Sequence, residues 1–282
     1  MAMQSSCLCG EVGWQVDAAP QSMWHCHCGR CRKQHGTGFT TFSMTPSQGF
    51  RLRGAEHVQS WASSPEFTRR FCARCGSAVV PDPQGGPFVF QPAGNFASDP
   101  GIKPALHIFA ASKAPWYEIP DALPRFDDYP PGVSGPVLLD PPRPPQPTGV
   151  TRGSCNCGAV AFEYTGDPIL ARNCHCSRCQ RGRSSAHAAN LLVRAAQLRF
   201  TKGADRLRSY KIPDAKFFTQ VFCDVCGSKA PRVDPSRDLA VVPLGSLDDD
   251  PGIRPKEHIF VGSKAPWFEI ADALPQYAEQ AP

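Results

Sequence analysis

The feature that most constrains this chain is a series of cysteine clusters that occurs twice. The 14 cysteines form the patterns C-x-C, C-x-C-x2-C and C-x2-C, in the same order in each half. The offset between the halves is 148 residues for the first two clusters and 151 for the third. Such a repeat predicts a tandem duplication of one domain. The clusters are Cys7 and Cys9, then Cys26, Cys28 and Cys31, then Cys72 and Cys75, followed by Cys155 and Cys157, then Cys174, Cys176 and Cys179, then Cys223 and Cys226.

The sequence outside the cysteine clusters repeats as well. Residues 112–116 read Ser-Lys-Ala-Pro-Trp and recur at 263–267, and His-Ile-Phe at 107–109 recurs at 258–260. The change of offset by three residues predicts extra residues between the second and third clusters, in a hairpin loop.

A proline-rich segment separates the two copies. Residues 130–147 contain eight prolines, which favours an extended, semi-rigid spacer. An ordered strap packed along both domains is an equal alternative. The predicted organisation is a first domain at 1–129 (the first copy), a linker at 130–148 and a second domain at 149–282 (the second copy).

Each copy has the sequence pattern of short β-strands. Residues 12–16 and 160–164 alternate apolar with polar or small residues, which is typical of a strand with one buried face. Glycine and proline interrupt the pattern at close spacing. Asp121 and Asp272 are each placed to cap one short helical turn. An all-β fold is therefore predicted, with further strands in the first copy at 39–44, 50–53, 67–71, 79–80 and 88–91.

The cysteine count favours metal binding over disulfides. Each copy has seven cysteines, an odd number that cannot pair completely, and closely spaced thiolates are typical zinc ligands. The outer clusters of a copy can close a four-thiolate structural site, which leaves three thiolates in the middle cluster. A three-ligand zinc keeps an open position for chemistry. Glycines after the outer clusters fit tight knuckle turns that need positive φ, and they are Gly10, Gly76, Gly158 and Gly227.

A histidine is the alternative fourth ligand of each middle cluster. His27 and His175 lie between two ligand cysteines, where an extended backbone points them away from the metal. A role beside the metal or at the surface is therefore favoured. His107 and His258 are expected to be structural, with a fourth-ligand or acid–base role as the alternative. His25, His35 and His187 lack a histidine at the equivalent position, which holds Asn173, Arg183 and Phe39 respectively.

These motifs together resemble the glutathione-dependent formaldehyde-activating enzyme family, which includes centromere protein V. The resemblance covers both copies nearly end to end. It implies a β-tent fold of short antiparallel coiled sheets in each copy, shared with methionine-R-sulfoxide reductases. It also implies one structural zinc on the four outer cysteines and a second zinc on the middle three, so up to four Zn²⁺ per chain.

The resemblance implies a carbon–sulfur lyase, similar to S-(hydroxymethyl)glutathione synthase, that acts on a small thiol and an aldehyde. Three thiolates leave one Zn²⁺ with net negative charge, which favours thiol chemistry over hydrolysis. Arg32, Gly36 and Phe39 bring the first copy nearer to the family pattern than the second. The candidate catalytic residues are Cys26, Cys28, Cys31, Cys174, Cys176 and Cys179. Cationic side chains beside them could hold the thiol's carboxylates or simply be surface charge, and they are Arg30, Arg32, Lys33, Arg178 and Arg181.

Two other functional classes compete with an enzyme. One is a non-catalytic, zinc-stapled binding module with closed middle sites. The other is a nucleic-acid partner, which the mild net charge of +5 makes unlikely. A sulfoxide reductase would need a redox cysteine outside the clusters, and none is left over.

The composition and the first residues predict a cytoplasmic location. No run of about 18 apolar residues suggests a membrane span, and the first residues lack the features of a secretory signal. Cytosolic thiols stay reduced, which suits metal binding. The predicted partners are a small-molecule thiol and an aldehyde.

Overall fold

The computed structural model describes residues 2–81, 83, 85–135 and 145–282. The described chain is mostly β-structure in small antiparallel sheets, which confirms the predicted fold class. Residues 136–144 of the proline-rich linker lie outside the described residues, so the spacer and the strap both stay predictions.

The described residues of the first copy form three small sheets. The strands are β1 (Met3–Ser6), β2 (Gly13–Val16), β3 (Ser22–Cys26), β4 (Thr40–Pro46), β5 (Arg51–Arg53), β6 (Val58–Ser64), β7 (Phe67–Cys72), β8 (Ala78–Val79), β9 (Phe88–Pro92) and β10 (His107–Ile108). The sheets have the orders β1-β2-β5, β6-β7-β8 and β10-β3-β4-β9. All pairs are antiparallel except β10 with β3, which places His107 beside His25.

The second copy has a similar arrangement, but its hairpin sheet has two strands and its largest sheet has five. Its strands are β11 (Val150–Ser154), β12 (Ala161–Thr165), β13 (Leu170–Cys174), β14 (Ala188–Val193), β15 (Leu198–Lys202), β16 (Leu207–Lys211), β17 (Thr219–Cys223), β18 (Arg232–Asp234), β19 (Leu239–Pro243) and β20 (His258–Ile259). The orders are β11-β12-β15, β16-β17 and β18-β19-β14-β13-β20. The predicted strands at 12–16 and 160–164 are thus β2 and β12, shifted by about one residue.

Two short helices were not predicted. Helix α1 (Gly29–His35) and helix α2 (Ser177–Arg183) each begin directly after the second cysteine of a middle cluster. That cysteine caps the helix, because the Sγ of Cys28 accepts a hydrogen bond from the N–H of Cys31, and Cys176 does the same for Cys179. The cluster is therefore built on a strand end and the first turn of a helix.

The predicted helical turns after Asp121 and Asp272 are wrong. Among the described residues no helix begins there, and each carboxylate instead accepts the N–H two residues later, from Leu123 and Leu274, at 3.0 Å. A proline follows each of these leucines, and a residue before proline is disfavoured in helical geometry.

The change of offset has two structural causes. One extra residue of the second copy forms a bulge where β12 pairs with β15, beside Ala161 and Phe162. Two more lie in the β16–β17 hairpin, where Lys211 pairs with Thr219. The hairpin insertion that the sequence predicted thus accounts for part of the change.

The two copies exchange core residues. Trp116 of the first copy packs with Phe162 and Leu191 in the core of the second. Trp267 of the second copy packs with Met23 and Ala93 in the core of the first. Each Ser-Lys-Ala-Pro-Trp segment therefore completes the hydrophobic core of the other copy.

The helices that carry the middle clusters lie where the two copies contact each other. Helix α1 packs against the 3-10 turn Leu244–Ser246 of the second copy, and helix α2 against Ala93–Asn95 of the first. Both turns contain a glycine whose Cβ would overlap the backbone of the facing copy. The close approach of the two backbones therefore requires glycine at Gly94 and Gly245.

Candidate metal centres

Each copy brings its outer cysteine clusters together as a four-cysteine site. The Sγ atoms of Cys7 and Cys9 are 3.5 Å apart, and those of Cys9 and Cys72 are 3.7 Å apart. Four thiolates at about 2.3 Å from a tetrahedral Zn²⁺ would lie about 3.8 Å from one another. Disulfide sulfurs lie at about 2.0 Å, and all fourteen cysteines are free. The donor set and its spacing therefore fit zinc, and the second site consists of Cys155, Cys157, Cys223 and Cys226.

Knuckle turns hold the four-cysteine sites in shape. The glycines predicted to need positive φ have it, with values of +79° at Gly10, +72° at Gly76 and +71° at both Gly158 and Gly227. Hydrogen bonds from neighbouring thiols, first that of Cys7, lower the pKa of Cys75 far below its usual range. Cys75 is therefore held as thiolate, the form that binds metal, whereas hydrogen bonds with neighbouring thiols raise the pKa values of Cys9 and Cys72.

The middle clusters form three-cysteine sites. The sulfurs of Cys26, Cys28 and Cys31 all lie within 4.8 Å of one another, and the second copy repeats this with Cys174, Cys176 and Cys179. In the described part of the chain, no histidine nitrogen or carboxylate oxygen lies within that distance of all three sulfurs. The donor set is suited to zinc and supplies three protein ligands.

A buried chain of side chains runs behind each three-cysteine site. His27 Nε2 lies 2.8 Å from His107 Nδ1, and His107 Nε2 lies 2.9 Å from Asp121 Oδ1. The second copy repeats the chain as His175, His258 and Asp272, with distances of 2.8 and 3.0 Å. His27 and His175 are buried, so a surface role for them is wrong. They bond to a histidine rather than to a metal position.

His27 and His175 are held as neutral imidazoles. The Asp272 carboxylate accepts the N–H of His258 Nε2, and His258 Nδ1 is paired with His175 Nε2. Burial lowers the pKa of His175 to about 2 and that of His27 to about 3. The expected structural role of His107 and His258 fits these bonds on both ring nitrogens.

The cationic side chains predicted beside the middle clusters differ in their surroundings. Arg32 is buried and its Nε donates to the carbonyl of His27 at 3.2 Å. Lys33 crosses to the second copy, where its Nζ lies 2.6 Å from Asp248 and 2.6 Å from Ser154. Arg30 and Arg181 are half-buried, and Arg178 is exposed. Arg178 is thus the predicted cation most open to a ligand.

Sequence reasoning missed three residues at these sites. Arg69 donates to the sulfur of Cys31, Tyr129 lies beside the first three-cysteine site, and Lys229 lies between the two four-cysteine sites. Each differs from its equivalent in the other copy, which is Gln220, Gln280 and Ala78 respectively. A comparison of the copies at every position would have marked all three.

A model of one protein family matches both copies of the chain. The family model of the glutathione-dependent formaldehyde-activating enzyme matches residues 2–112 and 150–263. The chain belongs to this family. Two matches in one chain agree with the predicted tandem duplication. Membership in the formaldehyde-activating enzyme family supports a function related to glutathione and formaldehyde, both small molecules, and the cysteine clusters could hold metal.

Other comparisons add less. A solved crystal structure of a Rhodobacter sphaeroides protein is similar at 29% sequence identity, covers 37% of this chain and 97% of that chain, and has a TM-score of 0.28. No curated protein matches the chain. Among the described residues, no helix has the length and apolar character needed to span a membrane.

Proposed function

We propose that this chain is a zinc-dependent carbon–sulfur lyase-type enzyme that makes and breaks the bond between a small thiol and an aldehyde. Glutathione and formaldehyde are the model substrates, as the family suggests. The observation that carries the proposal is the pair of three-cysteine sites, for which the described residues supply no fourth ligand. We place the enzyme in the cytoplasm, where glutathione and reduced thiols are abundant.

The proposal assigns all fourteen cysteines to zinc, with up to four Zn²⁺ per chain. The four-cysteine sites would be structural staples, and the reaction would take place at a three-cysteine site. Zinc bound in a three-thiolate site supplies a position at which an incoming thiol is held as its thiolate. The chain's own residues orient the ligand cysteines through the helix caps and the histidine chains.

The reaction conserves atoms and electrons without a redox partner. A sulfur lone pair of the thiol forms the new C–S bond to the aldehyde carbon. The π electrons of the carbonyl move to its oxygen, which takes up the proton that the thiol gave up. The reverse reaction releases aldehyde and thiol. Among the predicted cations, the exposed Arg178 is the best placed to bind a carboxylate of the thiol.

The histidine chains have a supporting part in this proposal. His175 follows Cys174 and precedes Cys176, so its bond to His258 fixes the backbone between two ligands. Partners of this kind behind metal ligands set ligand orientation. Neutral imidazoles in this place also avoid a positive charge in a buried region.

Metal content and thiol exchange test the proposal. The zinc-loaded chain should contain four zinc ions by elemental analysis. Glutathione at millimolar concentration should perturb at least one three-cysteine site and leave the four-cysteine sites intact, as followed by cadmium-113 NMR of the substituted protein. Two tightly held ions with no response to thiol would instead identify a non-catalytic, zinc-stapled binding module.

A further inference from the structure

The two three-cysteine sites are not equally exposed. The first site is closed, with relative exposures of 3% for Cys26, 0% for Cys28 and 3% for Cys31. The second is more open, because Cys176 is half-buried and is followed by the exposed residues Ser177 and Arg178. A small thiol therefore has a shorter approach to the second site.

A buried arginine contacts only the first site. Arg69 on β7 donates from Nη2 to the sulfur of Cys31 at 3.6 Å, and its guanidinium lies 5.4 Å from the ring centre of Phe67. The equivalent residue of the second copy is Gln220, whose Nε2 donates to the carbonyl of Gly182 at 3.1 Å. The second site therefore lacks the equivalent hydrogen bond to a ligand sulfur.

The second site does have a cation nearby, but it is oriented differently. Arg183 at the end of α2 replaces His35 of the first copy. Its guanidinium donates to the side-chain oxygen of Asn190 at 3.1 Å rather than to a cysteine sulfur. The charge of Arg183 therefore acts on the second site at longer range than that of Arg69 on the first.

An aromatic residue covers the first site as well. The ring of Tyr129 packs edge-on against Phe109 at 4.9 Å, in the cluster that contains Cys26, Cys28 and Cys31. Burial and the neighbouring thiolates raise the pKa of Tyr129 to about 12. The equivalent residue of the second copy is Gln280, which is exposed. Phe218, Phe260 and Tyr277 pack against the second cluster, so the second copy lacks an aromatic ring only at the position of Tyr129.

These differences point to different roles for the two three-cysteine sites. A hydrogen bond from a cationic donor draws electron density from a thiolate and makes the sulfur a weaker nucleophile. Burial under Arg69 and Tyr129 also keeps a thiol away. We propose that the second three-cysteine site is the thiol-reactive centre, with the half-buried Cys176 as its most accessible thiolate, and that the first is an inaccessible structural site. This inference rests on the proposed function, because it assumes that the three-cysteine sites hold zinc.

Alkylation of the zinc-loaded, full-length chain tests the inference. The protein is treated with iodoacetamide, and each cysteine-containing peptide is followed over time by mass spectrometry. Cys176 should react at least about tenfold faster than Cys26, Cys28 or Cys31, and glutathione should slow the reaction at Cys176. Equal rates in the two copies, or faster reaction of the first site, would overturn the inference.

Variants that exchange the differing residues between the copies test why the two sites differ in reactivity. Arg69→Gln should raise the alkylation rate of Cys31 by about tenfold, the size expected for one hydrogen bond to a charged group. Gln220→Arg should lower the rate in the second site. The matched control is Arg74→Gln, which removes an exposed arginine paired with Glu11 and should change neither rate.

The outcomes separate this inference from the proposed function. If glutathione acts on neither three-cysteine site of a four-zinc protein, the proposed function fails. If it acts on the first site alone, the proposed function stands and the division of work is wrong. If the Arg69→Gln variant unfolds, all fourteen cysteines become exposed to the reagent. The Tyr129→Gln variant, which introduces the residue type of Gln280, is then used instead. An unchanged rate at the first site in a folded Tyr129→Gln variant would then contradict the covering role.

Discussion

The glycines beside the four-cysteine sites are required for two different reasons. Gly10 and Gly76 both have positive φ, but nothing lies within 4 Å of a Cβ at Gly10. A Cβ at Gly76 would instead overlap the ring of Phe222 in the other copy. We expect Gly10→Ala to cost about 1–2 kcal/mol of folding free energy, the cost of left-handed backbone. Gly76→Ala should cost about 1–3 kcal/mol more through overpacking.

Urea unfolding of the zinc-loaded variants measures this difference. Equal losses for Gly10→Ala and Gly76→Ala would show that the contact between the copies at Phe222 does not constrain the knuckle.

Lys229 places a buried amine between the four-cysteine sites, and burial lowers its pKa to about 7. Its Nζ donates to the carbonyl of Gly76 and, at 3.3 Å, to that of Gly227, so it bonds to the residue after the last cysteine of each site. We expect Lys229→Ala to cost about 3 kcal/mol, because it removes two buried hydrogen bonds and packed methylene groups. Thermal unfolding of the variant measures the loss.

The position equivalent to Lys229 offers a rescue. Ala78 is buried at the corresponding place in the first copy. Adding Ala78→Lys to the Lys229→Ala variant should restore much of the lost stability. A double variant that is less stable than the single one would show that the two positions are not interchangeable.

His187 gives the chain a dependence on pH. It faces His175, His258 and Phe39 in the region where the copies meet, and burial lowers its pKa to about 3. The unfolded chain binds a proton at this residue below pH ~6.5, whereas the folded chain does not. The stability contributed by neutral His187 is therefore full above pH ~6.5 and is lost as the pH falls towards 3.

His187→Phe, which copies Phe39, should flatten this dependence. Relative to the parent protein, the variant should gain about 1 kcal/mol in unfolding free energy between pH 6.5 and 5.5. Protonation of the cysteine thiolates at low pH affects the parent and the variant equally, so it cancels when their unfolding free energies are subtracted. Parallel curves for His187→Phe and the parent would contradict the assignment.

The elements show what a sequence can and cannot predict. Strands such as β2 and β12 were predictable because one buried face imposes alternation over several residues. Helices α1 and α2 were not, because seven residues give too little apolar periodicity. Their stability comes from the cysteine caps and from contacts with the other copy. The ligand cysteines were predictable from spacing, whereas the partners of His27 depend on a parallel strand pair that is distant in sequence.

The exchanged tryptophans make a prediction at the level of sheets. Trp267→Ala should destabilise the protein by about 3–5 kcal/mol, the usual cost of removing a buried tryptophan side chain. Hydrogen exchange should accelerate first in β3, β4 and β9 of the first copy. Trp116→Ala is the matched variant, with acceleration expected in β13, β14 and β19. If each variant loosens its own copy instead, the exchange of core residues is wrong.

The whole molecule is one duplicated unit whose copies have diverged around shared contacts. The duplication and its boundaries at 1–129 and 149–282 were predicted from the repeat. The crossing of Trp116 and Trp267 was not, because a repeat shows which residues are equivalent but not which copy they pack in. Divergence at Arg69, Tyr129 and Lys229 occurs where the two halves meet or where a site is covered. A duplicated chain is free to keep one reactive site and close the other.

The central claim is that the zinc-loaded chain catalyses the interconversion of a thiol–aldehyde adduct with the free thiol and the free aldehyde. Exchange NMR with ¹³C-formaldehyde and glutathione measures this rate directly against the uncatalysed background. The account predicts exchange well above background with the zinc-loaded protein, which Cys176→Ser abolishes while both four-cysteine sites keep their metal. An exchange rate equal to background in a protein that carries four zinc ions would contradict it.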